Sequence, residues 1–484
     1  MRKHSRQPRI DKSLYIPSEL QYFVNKDTYS LVIKGGAGTG KTTLSLTILK
    51  ALEIKSNFFY ICTRVSPRQL SISYPWISKY VENQKERISG QSISDTEVPI
   101  NFEDARLDEP ESLFERITNE LMDVKSPLII IDSWDAVASF MDREARLNNE
   151  RVLQTWRERA GAKLIFVNED PADSSLDNLV DGVVRLDKVE RGYARIREIS
   201  LLKLRGVRIT KPSYLFTLDK CSFRSFQTYN PQHFGIELDS VSSPHFKNNI
   251  RNLPITMLEH GLIKSGYDEL DLNLGGGIPR RALVILEVDS NISIEVAMVF
   301  LLRVIQAFLA SGNVVFFEPP EEVGSVTANK FMKSCISVAQ MGSGKFLRIG
   351  PASKDSADDS SVSSDRNQNE NLMRRLNESI TKEQQNNPNK LVLCAMSLGH
   401  LQGLGTHSML EFLRLGRQNF DLSIVISRKS ESLAWSSEIV DICLKIVVIN
   451  GTLVLRTLYP VSPILAIEVE KLFGFPVTNL IPLV

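Results

Sequence analysis

The sequence lacks any long hydrophobic run. Its longest apolar stretches are the length of a β-strand, well short of the roughly 18–20 apolar residues that a transmembrane helix needs. The amino terminus also lacks the apolar segment typical of a secretory signal. These absences predict a protein that neither spans a membrane nor partners with one.

An excess of charge of either sign is also missing. The chain has 58 Lys and Arg against 57 Asp and Glu, a formal net charge of +1. This balance gives no global attraction to nucleic acid, so DNA is not favoured as a partner. The exception is the basic segment 1–14, which we interpret as a flexible terminus rather than a nucleic-acid arm.

Cysteine is scarce, and no two cysteines form a C-x-x-C pair. Most of the five lie in apolar runs of the 484-residue chain. Buried, reduced thiols fit this pattern better than disulfides or zinc ligands. The cysteine usage therefore predicts a cytoplasmic protein.

What the sequence does contain is an alternation of short apolar runs with longer helical stretches. Near-continuous apolar runs are typical of parallel strands covered on both faces, so the alternation predicts an α/β fold. The first group of predicted strands lies at 29–33, 57–62, 128–131 and 163–167, with helices at 42–52 and 110–124. Strands predicted at 183–186, 195–204 and 214–218 have no helices between them, which indicates an antiparallel extension of the sheet.

The same order of elements recurs in the second half. Strands are predicted there at 282–288, 314–317, 391–394, 422–426, 443–449 and 452–458. We interpret the chain as two copies of one architecture, with domains at 15–225 and 256–484 and a linker at 226–255. A polar insertion at about 351–390 is predicted to be disordered, apart from a helix near 371–383.

A glycine-rich loop carries the strongest functional signal. It matches G-x-x-x-x-G-K-[ST], follows a predicted strand and precedes a predicted helix, which is the context that a phosphate-binding loop requires. Backbone N–H groups of such a loop surround phosphate oxygens, the lysine neutralises the β- and γ-phosphates, and the hydroxyl ligates Mg²⁺. The predicted ATP-binding residues are Gly35, Gly36, Ala37, Gly38, Thr39, Gly40, Lys41, Thr42 and Thr43.

An aspartate at the end of the 128–131 strand is the predicted partner of this loop. Asp132 can reach Mg²⁺ from a neighbouring strand, so Thr42 and Asp132 form the predicted metal site. The alternative is that Asp132 or Ser133 caps a following helix.

Two basic residues late in the first copy are candidates for catalysis together with Lys41 and Asp132. Lys203 and Arg205 alternate with leucines, so both side chains share one face of a predicted strand. Such cations can stabilise charge on the γ-phosphate of a neighbouring subunit. Action within one chain, or an exposed strand face without a role, are the alternatives.

These motifs resemble the KaiC-like branch of the RecA ATPase superfamily across most of residues 15–225. The segments at 16–20, 63–67 and 109–116 are further similar to the GvpD family of archaeal gas-vesicle regulators. The resemblance implies two tandem RecA-like domains with mainly parallel sheets, late antiparallel strands and assembly into a homo-oligomer. The GvpD likeness implies control of gene expression through a protein regulator or transcription factor.

The chain departs from the KaiC-like pattern in both halves. The water-activating glutamate that follows the second strand is replaced by Thr63 and Arg64, which leaves Glu103, Asp135 and Glu169 as unranked candidates. In the second half, the segment 287–293 has neither glycine nor lysine, and Ala395 and Met396 stand where the Mg²⁺ aspartate belongs. We therefore expect a degenerate second domain.

Three functions compete at this point. The weak catalytic set favours an ATP-dependent regulatory switch with slow hydrolysis, acting through oligomerisation or a protein partner. The alternatives that the fold permits are a recombinase-like DNA-dependent ATPase and a KaiC-like autokinase.

Overall fold

The computed structural model describes residues 15–52, 58–78, 100–121, 124–172, 174–191, 194–234, 258–259, 261–349, 378–383, 385, 389–399, 416–428, 440–472 and 475–484. The predicted basic terminus and most of the predicted insertion lie outside these residues. The chain divides into two compact units, of which the first comprises 1–227 with 483–484 and the second 228–482.

One nine-stranded sheet forms the centre of the first unit. Its strands are β1 (Tyr29–Lys34), β2 (Phe58–Cys62), β3 (Ile100–Asp104), β4 (Leu128–Asp132), β5 (Lys163–Asn168), β6 (Gly182–Arg191), β7 (Ala194–Leu204), β8 (Ser213–Thr217) and β9 (Arg224–Ser225). Their order across the sheet is β3-β2-β4-β5-β1-β6-β7-β8-β9. The strands β1 to β6 run parallel and the last three continue antiparallel. The predicted antiparallel extension is therefore confirmed, whereas β3 was not predicted.

Helices cover both faces of this sheet. They are α1 (Ser18–Val24), α2 (Lys41–Ala51), α3 (Pro67–Ser73), α4 (Pro110–Leu121), α5 (Trp134–Ala138), α6 (Arg143–Ala160) and α7 (Ser175–Leu179). Alternate residues of β1 point into the hydrophobic cores on the two faces of the sheet. Leu31 and Ile33 belong to the core shared with α1, α2 and α3. Val32 joins the core that includes side chains of α4 to α7. Burial on both faces explains why the strands read as continuous apolar runs.

A buried carboxylate anchors α1 to the antiparallel strands. Glu19 accepts hydrogen bonds from the hydroxyls of Thr210 and Tyr214, both at 2.6 Å. Burial raises the pKa of Glu19, but these hydrogen bonds outweigh it and lower the pKa to about 2. The ionised carboxylate therefore stabilises the folded first unit.

Replacing this residue in the variant Glu19→Gln is expected to lower the free energy of unfolding by about 2 kcal/mol at pH 7, the usual contribution of hydrogen bonds to a buried charge. Because the folded pKa lies below the unfolded one, the contribution is present above about pH 4.5 and is lost as pH falls towards 2. Denaturant titrations at pH 7 and pH 3 measure it. The exposed Glu111→Gln on α4 is the control, and an equal deficit at both pH values would contradict the assignment.

The second unit repeats the plan of the first. A small sheet contains β10 (Leu258–Glu259), β11 (Leu262–Ile263) and β12 (Ile278–Pro279). The main strands are β13 (Ala282–Val288), β14 (Val314–Phe317), β15 (Lys345–Arg348), β16 (Val392–Ser397), β17 (Leu422–Arg428), β18 (Ile442–Ile449), β19 (Thr452–Tyr459), β20 (Leu465–Leu472) and β21 (Phe475–Pro482). Their order is β15-β14-β16-β17-β13-β18-β19-β20-β21, which is the order of the first sheet, strand for strand. The predicted repeat and fold class are confirmed, although β15 and the hairpin of β20 with β21 were not predicted.

The helices of the second unit include α8 (Asp268–Asn273), α9 (Glu295–Ala310) and α10 (Ser325–Gly342). The helix α9 follows β13, as α2 follows β1, and 13 of its 16 residues are buried in the core of this unit. Among the described residues, no helix is both long enough and apolar enough to cross a membrane.

Candidate nucleotide-binding site

The phosphate loop, residues 35–40, connects β1 to α2 at the carboxyl edge of the first sheet. The N–H of Gly35 donates to the carbonyl of Asn168, at 3.3 Å. A Cβ atom on Gly35 would lie 2.4 Å from the backbone oxygen of Leu186, and Gly40 has a φ of 101°. Glycine is therefore required at both positions by the backbone itself.

The start of α2 is suited to an anion. No side chain caps this helix, so the N–H groups of its first turn remain available to phosphate oxygens. The Lys41 ammonium turns back into the loop and donates to the carbonyls of Gly35 and Gly36, at 2.8 and 2.9 Å. Burial lowers the pKa of Lys41, while the carboxylates of Glu169 and Asp132 act in the opposite direction. A glycine cradle, an uncapped helix start and a buried ammonium together fit a nucleoside triphosphate.

The predicted metal ligands lie side by side. The Thr42 hydroxyl donates to a carboxylate oxygen of Asp132 at 2.7 Å, and Tyr60 donates to the same oxygen at 2.7 Å. Burial raises the pKa of Asp132, and the hydrogen bonds from Tyr60 and Thr42 lower it. A hydroxyl and a carboxylate in contact are the protein ligands that Mg²⁺ takes in phosphate-loop proteins, so these residues fit the metal. The capping alternative is wrong, because α5 has no side-chain cap.

Two further loop residues stabilise the local structure. Thr39 donates to the carbonyl of Gly36 at 2.9 Å, and the hydroxyl of Thr43 lies 2.7 Å from that of Tyr74. The second contact connects α2 to the residue that ends α3.

Two cations that sequence analysis missed also contact the phosphate loop. Lys188 donates to the carbonyl of Ala37 at 2.9 Å, and Arg197 donates to that of Gly38 at 2.8 Å. The two residues face each other across the hairpin of β6 and β7. The pairing of β6 with β7 could have identified these two cations in advance, provided that the hairpin had been predicted to lie next to β1.

The two cations that the sequence predicted, Lys203 near the end of β7 and Arg205 just after it, lie elsewhere. Leu204 pairs with Gly182 and Lys203 with Val183, the first two residues of β6. Gly182 in turn pairs with the middle of β1, not with the end of β1 that leads into the phosphate loop. The ammonium of Lys203 donates to the carbonyl of Asp177, at 3.0 Å, and Arg205 forms an ion pair with Asp181, also at 3.0 Å. Both are therefore directed away from the phosphate loop of their own domain, and this geometry contradicts action on a nucleotide bound there. Action on a nucleotide held by another copy of the chain stays a prediction.

In the second unit, side chains of the protein hold the equivalent turn closed. Arg428 donates to the carbonyls of Asp289, at 3.3 Å, and Ile292, at 2.6 Å, and the N–H of Ser293 donates to the hydroxyl of Tyr229 at 3.0 Å. Arg428 is itself paired with Glu322, at 3.0 Å. One backbone N–H of this turn and two of its carbonyls are thus bonded to side chains of the same unit.

A comparison with protein families agrees with this geometry. The family model described as GvpD gas vesicle protein, P-loop domain, matches residues 20–203. The chain therefore carries a GvpD-type P-loop domain. This domain contains β1 to β6 and nearly all of β7, and with them the phosphate loop, Asp132 and Lys203.

Curated relatives extend the similarity beyond the GvpD-type domain. Protein GvpD2 of Halobacterium salinarum is 27% identical over 333 residues, which cover 65% of this chain and 63% of the relative. Protein GvpD1 of the same organism is 30% identical over 321 residues, which cover 63% of this chain and 56% of the relative. The chain thus spans less than two thirds of the length of each of these relatives.

Proposed function

We propose that the chain is an ATP-dependent regulatory switch. Its GvpD-type domain binds ATP with Mg²⁺ and hydrolyses it slowly, and the nucleotide state sets the assembly of the chain or its affinity for a protein regulator. The observation that carries the proposal is the contact between Thr42 and Asp132 beside an uncapped helix and a glycine loop. We expect this activity in the cytoplasm, where ATP is supplied and free cysteines stay reduced.

Slow hydrolysis is inferred from the end of β2. Thr63 occupies the position after this strand, and its hydroxyl bonds to the backbone of Ser133 instead of facing the phosphate loop. A switch needs a nucleotide state that lasts long enough to be sensed, and different affinities for a partner in each state. A site that binds the nucleotide but lacks the usual water-activating glutamate hydrolyses ATP slowly. The ATP-bound state therefore lasts long enough to be sensed.

The second unit is proposed to act in assembly or partner binding. Arg428 and Tyr229 bond to the turn after β13, and the segment 287–293 has neither glycine nor lysine to hold phosphate. We therefore expect one nucleotide per chain.

Nucleotide-dependent size and stoichiometry test the proposal. Light scattering of the full chain is compared with ATP and Mg²⁺, with ADP and Mg²⁺, and without nucleotide, and equilibrium dialysis counts bound nucleotide. We expect a different assembly in at least one state and a stoichiometry near one. Identical assembly in all three states would refute a switch that acts through assembly.

A further inference from the structure

The usual glutamate is missing after β2, so another group must activate the attacking water. The parallel strands end at one edge of the sheet, so a carboxylate after any neighbouring strand can approach the γ-phosphate. β5 lies between β1, which leads into the phosphate loop, and β4, which ends at Asp132. Glu169 is the first residue after β5.

The backbone fixes Glu169 beside the phosphate loop. The preceding residue, Asn168, accepts the N–H of Gly35 through its carbonyl at 3.3 Å. The N–H of Glu169 donates to the carboxylate of Asp135. Glu169 is also the charged group that most strongly opposes the lowering of the Lys41 pKa by burial. The carboxylate therefore belongs to the same electrostatic site as the ammonium that would hold phosphate.

Two side chains hold the carboxylate of Glu169 in the structure. Arg64 forms an ion pair with one oxygen at 3.0 Å, and the Ser133 hydroxyl lies 3.4 Å from the other. The Arg64 and Glu169 side chains are 57% and 44% exposed, so water reaches this pair. An exposed ion pair contributes little to stability, which makes it easy to open.

The other two candidates for the water-activating carboxylate make different contacts. Glu103 lies on the edge strand β3, where its carboxylate pairs with Arg116 at 2.9 Å. Asp135 accepts the backbone N–H of Glu169. Of the three candidates left open by the sequence, Glu169 alone follows a strand that directly neighbours β1.

We propose that Glu169 is the catalytic base of ATP hydrolysis and that Arg64 restrains it, an inference that rests on the proposed function. A water oxygen bonds to the γ-phosphorus as the bond from that phosphorus to the β,γ-bridging oxygen breaks. The proton of the water passes to the Glu169 carboxylate and then to solvent, and ADP and phosphate are released. While Arg64 holds the carboxylate, the ion pair occupies an oxygen that would otherwise accept the proton of the water, and hydrolysis is slow.

Paired substitutions test this assignment. Because a general base contributes about 10²–10⁴-fold, Glu169→Gln is expected to reduce single-turnover hydrolysis at least 100-fold while ATP affinity changes less than threefold. Chromatography of the nucleotide retained after incubation should find ATP on this variant and ADP on the wild type. Arg64→Gln should hydrolyse several-fold faster than the wild type with unchanged ATP affinity.

The exposed neighbour Asp170 provides the matched control, since Asp170→Asn removes a charge one residue away and should behave as the wild type. Wild-type hydrolysis in Glu169→Gln, or a chain that binds ATP without any hydrolysis, would overturn this inference and leave nucleotide binding intact. A rate unchanged or reduced in Arg64→Gln would overturn the restraint. Absence of ATP binding by the wild type would instead refute the proposed function itself.

Discussion

Lys41→Ala is expected to weaken ATP binding roughly 100-fold, the equivalent of about 3 kcal/mol for hydrogen bonds to a charged group. In the structure the ammonium donates to the carbonyls of Gly35 and Gly36, inside the loop that would surround the phosphates. Lys41 is the only basic residue in the first turn of α2. Isothermal titration with ATP and Mg²⁺ measures the loss.

The far end of the same helix provides the control for this variant. Lys50 is exposed in the last turn of α2, where its ammonium lies 5.9 Å from the centre of the Trp76 ring. Lys50→Ala should bind ATP as the wild type does. Retained affinity in Lys41→Ala, with a circular dichroism spectrum unchanged from the wild type, would refute the assignment of the phosphate loop.

Asp132→Asn is expected to remove most of the gain in ATP affinity that Mg²⁺ gives, about 10- to 100-fold. The asparagine keeps an oxygen that can accept from Thr42 and Tyr60, but it loses the charge that a hard cation requires. Titrations with ATP in Mg²⁺ and in EDTA measure the difference. The affinities of the variant in the two conditions should differ far less than those of the wild type.

Protein stability separates this effect from misfolding. Burial raises the folded-state pKa of Asp132, so ionisation of this carboxylate costs stability at neutral pH. Asp132→Asn without nucleotide should therefore melt at the same temperature as the wild type or higher. Asp104→Asn, at the exposed end of β3, is the control for the Mg²⁺ titrations and should keep the full Mg²⁺ effect on ATP affinity. A full Mg²⁺ effect in Asp132→Asn would exclude Asp132 as a metal ligand.

The strands that were not predicted show which strands a local sequence pattern fails to identify. β3 has only five residues at the edge of the first sheet, and residues 79–99 before it lie outside the described chain. β21 begins and ends near prolines, Pro476 and Pro482, which interrupt a strand pattern. Short edge strands owe their structure to the neighbour that they pair with, and a local pattern does not identify that neighbour.

The basic residues Lys203, near the end of β7, and Arg205, just after it, show a second limit of local sequence patterns. Alternation with leucine placed Lys203 and Arg205 on one face, but only the register with β6 shows that they lie away from the phosphate loop of their own domain. The same register brings Lys188 and Arg197 to that loop. Alternation with leucine therefore does not identify the cations that contact the loop, because position along the hairpin decides the contact.

The sequence by itself determined the phosphate loop, the strand that ends at Asp132 and the repeat of one α/β plan. These features are local, because a loop between a strand and the next helix is contiguous, and period-based patterns span a few residues. The tertiary structure alone decided that Asn168, the residue before Glu169, bonds to Gly35, and that Arg64 pairs with Glu169 across 105 positions of sequence. In this sheet β5 lies between β1 and β4, so the groups around the phosphate come from strands that are distant in the chain.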